Sequence, residues 1–113
     1  MTARPLSIPD AACALRAGGV IAYPTEAVWG LGCDPFDAAA LARLLALKQR
    51  PAAKGMIVIA ARPAQVDRYL RWSALAPERR DQVLASWPGP NTWLIPCTDA
   101  VPHGLRGDHD TLA

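Results

Sequence analysis

The stretch GGVIAYPTEAVWGLG, residues 18–32, joins a short apolar run to a loop of small and polar residues. Residues 20–23 are apolar and are followed by Pro24, which is typical of a buried strand that a proline terminates. Thr25 and Glu26 come next, with two glycines shortly after them. Open α/β sheets bind ligands just beyond the carboxyl ends of their strands, so this loop is the first candidate for a binding site.

A simpler interpretation of the same loop stays open. The glycines would then only permit a tight turn, the Thr25 hydroxyl would bond its own backbone, and Glu26 would point into water. The loop contains neither the G-x-G-x-x-G fingerprint nor the Walker G-x-x-x-x-G-K-[ST] pattern. A nucleotide site in this region would therefore belong to another class.

Outward from this stretch, the chain alternates helical and extended segments. Ser7 or Asp10 is the expected N-cap of a helix that ends near Ala17, and Asp37 is that of a helix over residues 38–48. Further helices are predicted at residues 63–70 and 76–87, and further strands at residues 56–60, at residues 92–96 and from residue 111 onward. This alternation predicts a mixed α/β architecture in a single domain.

The amino-acid composition excludes several classes of protein. The chain has 113 residues, of which 51% are hydrophobic and 19% charged, which excludes a disordered tail, and a net charge of +2 does not indicate a strongly basic nucleic-acid binder. Cys13, Cys33 and Cys97 are odd in number and lack C-x-x-C spacing, which predicts a reduced, cytoplasmic setting. No apolar run reaches the ~18 residues of a membrane span, so we expect no membrane association.

Three cations, Lys48, Arg50 and Lys54, lie at the end of a predicted helix and in the loop that follows. Cations at a helix C-terminus offset the negative end of its dipole by ~0.3–1 kcal/mol, which is reason enough for their presence. A proline-bounded loop of cations beside a buried strand can also direct charge-assisted donors at phosphate oxygens, as nucleotide transfer requires. The residues alone leave both interpretations open.

Other polar residues give weaker signals. Five arginines with two nearby aromatic residues could form a surface for RNA, although scattered solvation explains them better: Arg62, Arg68, Arg71, Arg79 and Arg80, with Tyr69 and Trp72. His103 and His109 have no third ligand at metal spacing, so we expect surface residues there.

The string YPTEAVWGLGCDPFDAAALARLLALKQRPAAKGMIVIAA, residues 23–61, together with WPGPNTW, residues 87–93, closely resembles the YrdC-like family of threonylcarbamoyl-AMP synthases. The resemblance covers about residues 11–113, with P-T-E, G-L-G, K-x-R-P and W-P-G-P-x-T in the family's order. It implies an α+β fold of the YrdC/RibB type, in which a twisted open mixed β-sheet is flanked by helices. The expected domain spans residues 7–113.

The resemblance also implies an activity. Enzymes of this family are nucleotidyltransferases that make threonylcarbamoyl-adenylate and pyrophosphate from L-threonine, bicarbonate and ATP with Mg²⁺. Threonylcarbamoyl-transferase proteins of the same pathway then modify an adenosine beside the anticodon of tRNA. By the family's motifs, Thr25 is the expected L-threonine contact, and Lys48 and Arg50 are the expected ATP-phosphate contacts. Lys54, in the same loop, is a third, although longer relatives have asparagine there.

One departure from the family pattern bears on activity. The family's K-x-R pair works with a downstream S-x-N element, and the sequence ends before such an element, so we expect a domain whose C-terminal part is missing. Two alternatives follow: an RNA-binding module for double-stranded RNA or tRNA, or an inactive fragment of the enzyme. A carbamoyl-transfer domain of the hydrogenase-maturation type is a third, which the lack of a preceding acylphosphatase-like or zinc-finger segment disfavours.

Overall fold

The computed structural model describes residues 4–113, which divide after Arg50 into two compact units. The first unit contains two helices and a hairpin: α1 (Ile8–Arg16), β1 (Ile21–Tyr23), β2 (Gly30–Gly32) and α2 (Ala38–Lys48). Ser7, rather than Asp10, caps α1, because its hydroxyl accepts the amide of Asp10 at 3.2 Å. Both predicted helices of this unit are confirmed.

Helix α2 begins and ends through local hydrogen bonds. At its start, the Asp37 carboxylate accepts the Ala40 amide at 3.0 Å. At its end, the amides of Gln49 and Arg50 turn back to the carbonyls of Ala46 and Leu45, at 3.1 and 3.0 Å, which is a Schellman motif. Gln49 has a φ of 51° and a ψ of 40°, a left-handed conformation that costs a non-glycine residue about 1–2 kcal/mol.

The hairpin corrects one prediction, since two glycines expected in a loop form strand β2. Strand β1 pairs with it in antiparallel register, with Tyr23 opposite Gly30. The Tyr23 ring covers both glycines: a Cβ on Gly32 would lie 2.7 Å from Tyr23 Cε1, and one on Gly30 would lie 3.5 Å from the ring. Direct and diagonal neighbours across an antiparallel pair share a face, so the ring fills the space that larger side chains would need.

The second unit has short elements joined by single turns of 3₁₀-helix. Its regular elements are α3 (Pro77–Ala85), β3 (Ile95–Pro96), α4 (His103–Arg106) and β4 (Thr111–Leu112), with 3₁₀ turns at Ala52–Lys54, Pro63–Gln65, Asp67–Tyr69 and Trp72–Ala74. Strands β3 and β4 are antiparallel, with Ile95 opposite Leu112. The core of this unit consists of Leu70, Trp72, Val83, Ile95, Cys97, Val101, Leu105 and Leu112.

Four predicted elements of this unit differ from the structure, three of them in extent or helix type. The expected helix over residues 63–70 is two separate 3₁₀ turns, the helix over residues 76–87 ends at Ala85, and the strand over residues 92–96 keeps only its last two residues. Short-range sequence patterns locate these segments but not their exact geometry, because tertiary contacts override weak local propensity. The mixed α/β class itself is confirmed.

Residues 56–60, predicted as a strand, form no strand in the structure. The segment is held by two backbone bonds to different places: the Met56 amide donates to Leu105 at 2.8 Å, and the Val58 amide donates to Ala113 at 2.9 Å. Two bonds to separate elements do not make a ladder. Side-chain exposure still alternates as in a strand, because Ile57 and Ile59 are 61% and 72% exposed while Val58 is partly buried.

Two glycines bring backbone segments of the second unit into direct contact. Gly55 and Gly107 have φ values of 69° and 63°. A Cβ on Gly107 would lie 2.3 Å from the carbonyl oxygen of Ala53, and one on Gly55 would lie 2.6 Å from that of Leu105. The Asp108 amide also donates to Ala53 at 2.9 Å. The turn Ala52–Lys54 is thereby held against α4 without intervening side chains.

No helix within residues 4–113 has both the length and the apolar character that crossing a membrane requires.

Replacing Gly107 with alanine is expected to lower the free energy of unfolding by at least about 1–3 kcal/mol, because the positive φ and the backbone contact both oppose a Cβ. Gly104→Ala is the matched control, since Gly104 lies within α4 and does not have a positive φ. Urea denaturation of both variants measures the difference. Equal midpoints for the two variants would contradict this account of the contact.

Candidate functional site

Thr25 lies in the turn after β1, and its hydroxyl bonds the local backbone. The hydroxyl donates to the carbonyl of Val28 and accepts the amide of Ala27 at 3.2 Å. The local-turn interpretation of this threonine is therefore realised in the structure. A hydroxyl oxygen has two lone pairs, so one acceptor position of this exposed side chain remains for a ligand ammonium or hydroxyl group.

The rest of this loop is open to solvent. Glu26 is exposed, and Val28 and Trp29 are 74% and 72% exposed. The loop thus presents a polar oxygen and a carboxylate next to exposed apolar surface, a combination that suits a small amphipathic ligand.

Lys48 and Arg50 are both exposed at the C-terminal end of α2. The amides of Gln49 and Arg50 already cap the helix, so a bound anion there would be held by side chains and not by backbone donors. The helix end carries roughly −0.5 of an elementary charge, which opposes an anion, but two full positive charges outweigh it. The two cations can therefore bind a phosphate group, and they also stabilise the C-terminal end of the helix.

Lys54 belongs to the second unit and is exposed at the end of the turn Ala52–Lys54. Gly55 follows it with a ψ of −176°, and this glycine packs on α4 as described above. The backbone that carries the Lys54 side chain is therefore held on its own unit by close glycine contacts.

Four of the five arginines considered for an RNA surface have side-chain partners within the chain. The guanidinium of Arg68 lies 5.0 Å from the Tyr69 ring, and that of Arg80 lies 5.3 Å from the Trp72 ring. Arg71 donates to the carbonyl of Cys97 at 3.2 Å, and Arg79 donates to Gln82 at 2.9 Å. These contacts favour a structural role for the four arginines over an RNA-binding surface.

The histidines are surface residues, as predicted. His103 and Asp108 form an exposed pair at 3.2 Å, and His109 is also exposed. Within the described part of the chain, no three histidine, cysteine or acidic side chains come together in a group that could hold a metal ion.

Cys33, which sequence reasoning used only to infer the redox compartment, lies in a distinctive environment after β2. Burial raises the pKa of its thiol, and the carboxylates of Asp34 and Asp37 raise the pKa further. The same Asp37 caps α2, so the charge that stabilises the helix also disfavours the Cys33 thiolate. The two acidic residues that follow Cys33 in the string C-D-P-F-D could have predicted the direction of this pKa shift from the sequence.

We expect Cys33 to react slowly with iodoacetamide at pH 8, because a raised pKa lowers the thiolate fraction and the thiolate is the nucleophile. Exposed Cys13 should react faster. Peptide mass spectrometry over a time course separates the two sites, and Asp34→Asn should accelerate alkylation of Cys33 alone. A Cys33 rate equal to that of Cys13, or unchanged in the variant, would contradict the assigned cause.

Comparison with known proteins bears on the family. The model of the Sua5_yciO_yrdC family, described as "Telomere recombination", matches residues 13–113. The chain belongs to the Sua5/YciO/YrdC family. Its matched region includes the P-T-E loop, the K-x-R-P turn and the W-P-G-P-x-T segment, so the resemblance read from these motifs is confirmed.

Two bacterial relatives of this family are named threonylcarbamoyl-AMP synthase. The protein of Xanthomonas oryzae pv. oryzae (strain PXO99A) is 54% identical over 108 residues, which are 96% of this chain and 58% of that protein. The protein of Halorhodospira halophila (strain DSM 244 / SL1) is 54% identical over 110 residues, which are 97% of this chain and 56% of that protein. The chain thus spans less than two thirds of the length of these relatives.

Solved structures of Sua5 from P. abyssi share the fold. A doubly substituted variant matches with a TM-score of 0.80 and 34% identity, over 91% of this chain and 31% of that protein. The P. abyssi Sua5 structure complexed with L-threonine matches with a TM-score of 0.79 and 34% identity, over 91% of this chain and 30% of that protein. The fold described above therefore corresponds to part of a Sua5-type protein.

Proposed function

We propose that the chain provides the N-terminal part of an L-threonylcarbamoyladenylate synthase. The observation that carries this proposal is the 54% identity, over 96% of the chain, to a protein named threonylcarbamoyl-AMP synthase. The proposed domain spans residues 7–113. Its product would be passed to threonylcarbamoyl-transferase proteins that modify tRNA, which places the proposed activity in the cytoplasm.

The proposed reaction needs no protein nucleophile. The amino group of L-threonine attacks the carbon of bicarbonate, and loss of water leaves a carbamate. A carbamate oxygen then attacks the α-phosphorus of ATP, and the bond to the β-phosphate oxygen breaks, which releases pyrophosphate. Negative charge is concentrated around phosphorus in this step, so positioned cations and correct alignment of the reactants supply most of the rate.

In this scheme Lys48 and Arg50 bind ATP phosphates. Both are exposed, and both are side-chain cations at a helix end whose backbone amides are already used. Charge-assisted bonds from lysine and arginine to phosphate are about twice as strong as neutral ones. Lys54 is proposed as a further ATP contact by its place in the family's loop. Mg²⁺ would enter with ATP as part of the substrate, since Mg²⁺ is commonly bound through substrate phosphates.

Thr25 is proposed to contact L-threonine. The structure of P. abyssi Sua5 complexed with L-threonine supports a threonine site in proteins with this fold. In the present chain the hydroxyl proton of Thr25 is donated to the backbone, so the oxygen is left as an acceptor. The ammonium or hydroxyl group of the ligand would be the donor to that oxygen.

Lys48→Ala and Arg50→Ala should each weaken the binding of a non-hydrolysable ATP analogue with Mg²⁺ by on the order of 10- to 100-fold, the value of one charge-assisted contact. Arg16→Ala is the matched control, because Arg16 is an exposed cation in the last turn of α1. Isothermal titration calorimetry measures the affinities. Unchanged affinity in both variants would contradict the phosphate role and leave stabilisation of the helix end as the role of these cations.

Thr25→Ala should weaken L-threonine binding by roughly tenfold, the cost of about one hydrogen bond, while the affinity for the ATP analogue stays within twofold. Thr25→Ser keeps the hydroxyl and should retain L-threonine binding. Titration of each variant with the two ligands separately gives both values. Parallel loss of both affinities in Thr25→Ala would mean that the residue only maintains the loop.

A further inference from the structure

Gln49, the residue between the two cations, has a backbone conformation that is rare for its type. Among residues 4–113 it is the only residue other than glycine with a positive φ. The position after a helix is ordinarily occupied by glycine when the left-handed conformation is needed. Non-glycine residues in this conformation occur preferentially at functional sites, where the surrounding structure imposes them.

The left-handed residue changes the direction of the chain between Lys48 and Arg50. In a continuing helix, two residues that are two positions apart point about 200° apart around the axis, so their side chains diverge. Here the Arg50 amide turns back to the carbonyl of Leu45 at 3.0 Å, and the chain leaves the helical path after Lys48. The helical relationship between the two cations is therefore broken at Gln49.

Side chains alone must bind an anion at this helix end. The amides of Gln49 and Arg50 donate to helix carbonyls and are therefore not available to phosphate oxygens. The geometry of binding then depends on where the Lys48 and Arg50 side chains begin. The φ and ψ of Gln49, the residue between them, are major determinants of that geometry.

We propose that Gln49 is a positioning residue, whose left-handed backbone directs Lys48 and Arg50 toward one phosphate chain. The ligand class is a di- or triphosphate, in which adjacent anionic groups suit two neighbouring cations. The inference rests on the proposed phosphate role of the two cations and adds to it a requirement for one backbone conformation. The glutamine side chain itself takes no part in binding.

Substitutions at position 49 can change the backbone preference while both cations and the net charge remain. Valine is β-branched and opposes the left-handed conformation, whereas glycine and asparagine accept it. With inorganic pyrophosphate as the probe, Gln49→Val should weaken binding to the 113-residue chain by roughly tenfold, as for loss of one charged contact. Gln49→Gly and Gln49→Asn should bind with wild-type affinity. Isothermal titration calorimetry measures all four proteins.

Leu47→Gly is the matched control for loss of helix stability. Leu47 is 60% exposed in the last turn of α2, so glycine there weakens the helix without a change at residue 49. The proposal requires that this variant bind pyrophosphate as the wild type does. A loss equal to that of Gln49→Val would assign the effect to stability and overturn the positioning role.

The outcomes also separate this inference from the proposed function. If Lys48→Ala and Arg50→Ala weaken pyrophosphate binding while Gln49→Val does not, the positioning role alone is overturned. If the wild-type chain binds no pyrophosphate, the phosphate role of the cations and the positioning role are both overturned. Weak binding by Gln49→Val together with wild-type binding by Gln49→Gly and Gln49→Asn supports the proposal.

Discussion

The last carbonyls of helix α2 need hydrogen-bond donors, and the way the chain supplies them governs the candidate phosphate site. The amides of Gln49 and Arg50 return to Ala46 and Leu45, which satisfies the helix end within the chain. The same bonds place one residue in the left-handed region and remove two backbone donors from any ligand. A site at this position is therefore a pair of charged side chains on a fixed turn, unlike the backbone cradle of a P-loop.

Close backbone contacts recur at the segments that carry the other candidate residues. In the first unit, the Tyr23 ring covers the two glycines of β2, and the Thr25 hydroxyl bonds the backbone of its own turn. In the second unit, Gly55 and Gly107 bring the turn that holds Lys54 directly against α4. At Gly32, Gly55 and Gly107 a Cβ would lie within 3.0 Å of atoms of another residue, so these three positions favour glycine. Thr25 and Lys54 thus lie in turns that local hydrogen bonds or close backbone contacts hold in place.

The charged residues of the chain divide into two groups by their surroundings. Arginines in the second unit stack on aromatic rings or donate to carbonyls, which uses their charge and their planar shape within the fold. Lys48 is exposed in the last turn of α2. The proposed phosphate role rests on the exposed K-x-R pair at the end of α2, whereas composition alone, with a net charge of +2, did not distinguish the two groups.

The sequence by itself determined the features that depend on neighbouring residues. Asp37 as a cap, an alanine- and leucine-rich run and Pro51 were enough to predict α2 with its observed bounds, and the spaced motifs were enough to indicate the family. Only the tertiary structure decided features that depend on distant partners. Strand β2 forms by antiparallel pairing with β1, and residues 56–60 stay outside a ladder because Met56 donates to Leu105 and Val58 donates to Ala113. Caps and helix periodicity are local, whereas strand pairing is decided by residues far apart in the chain.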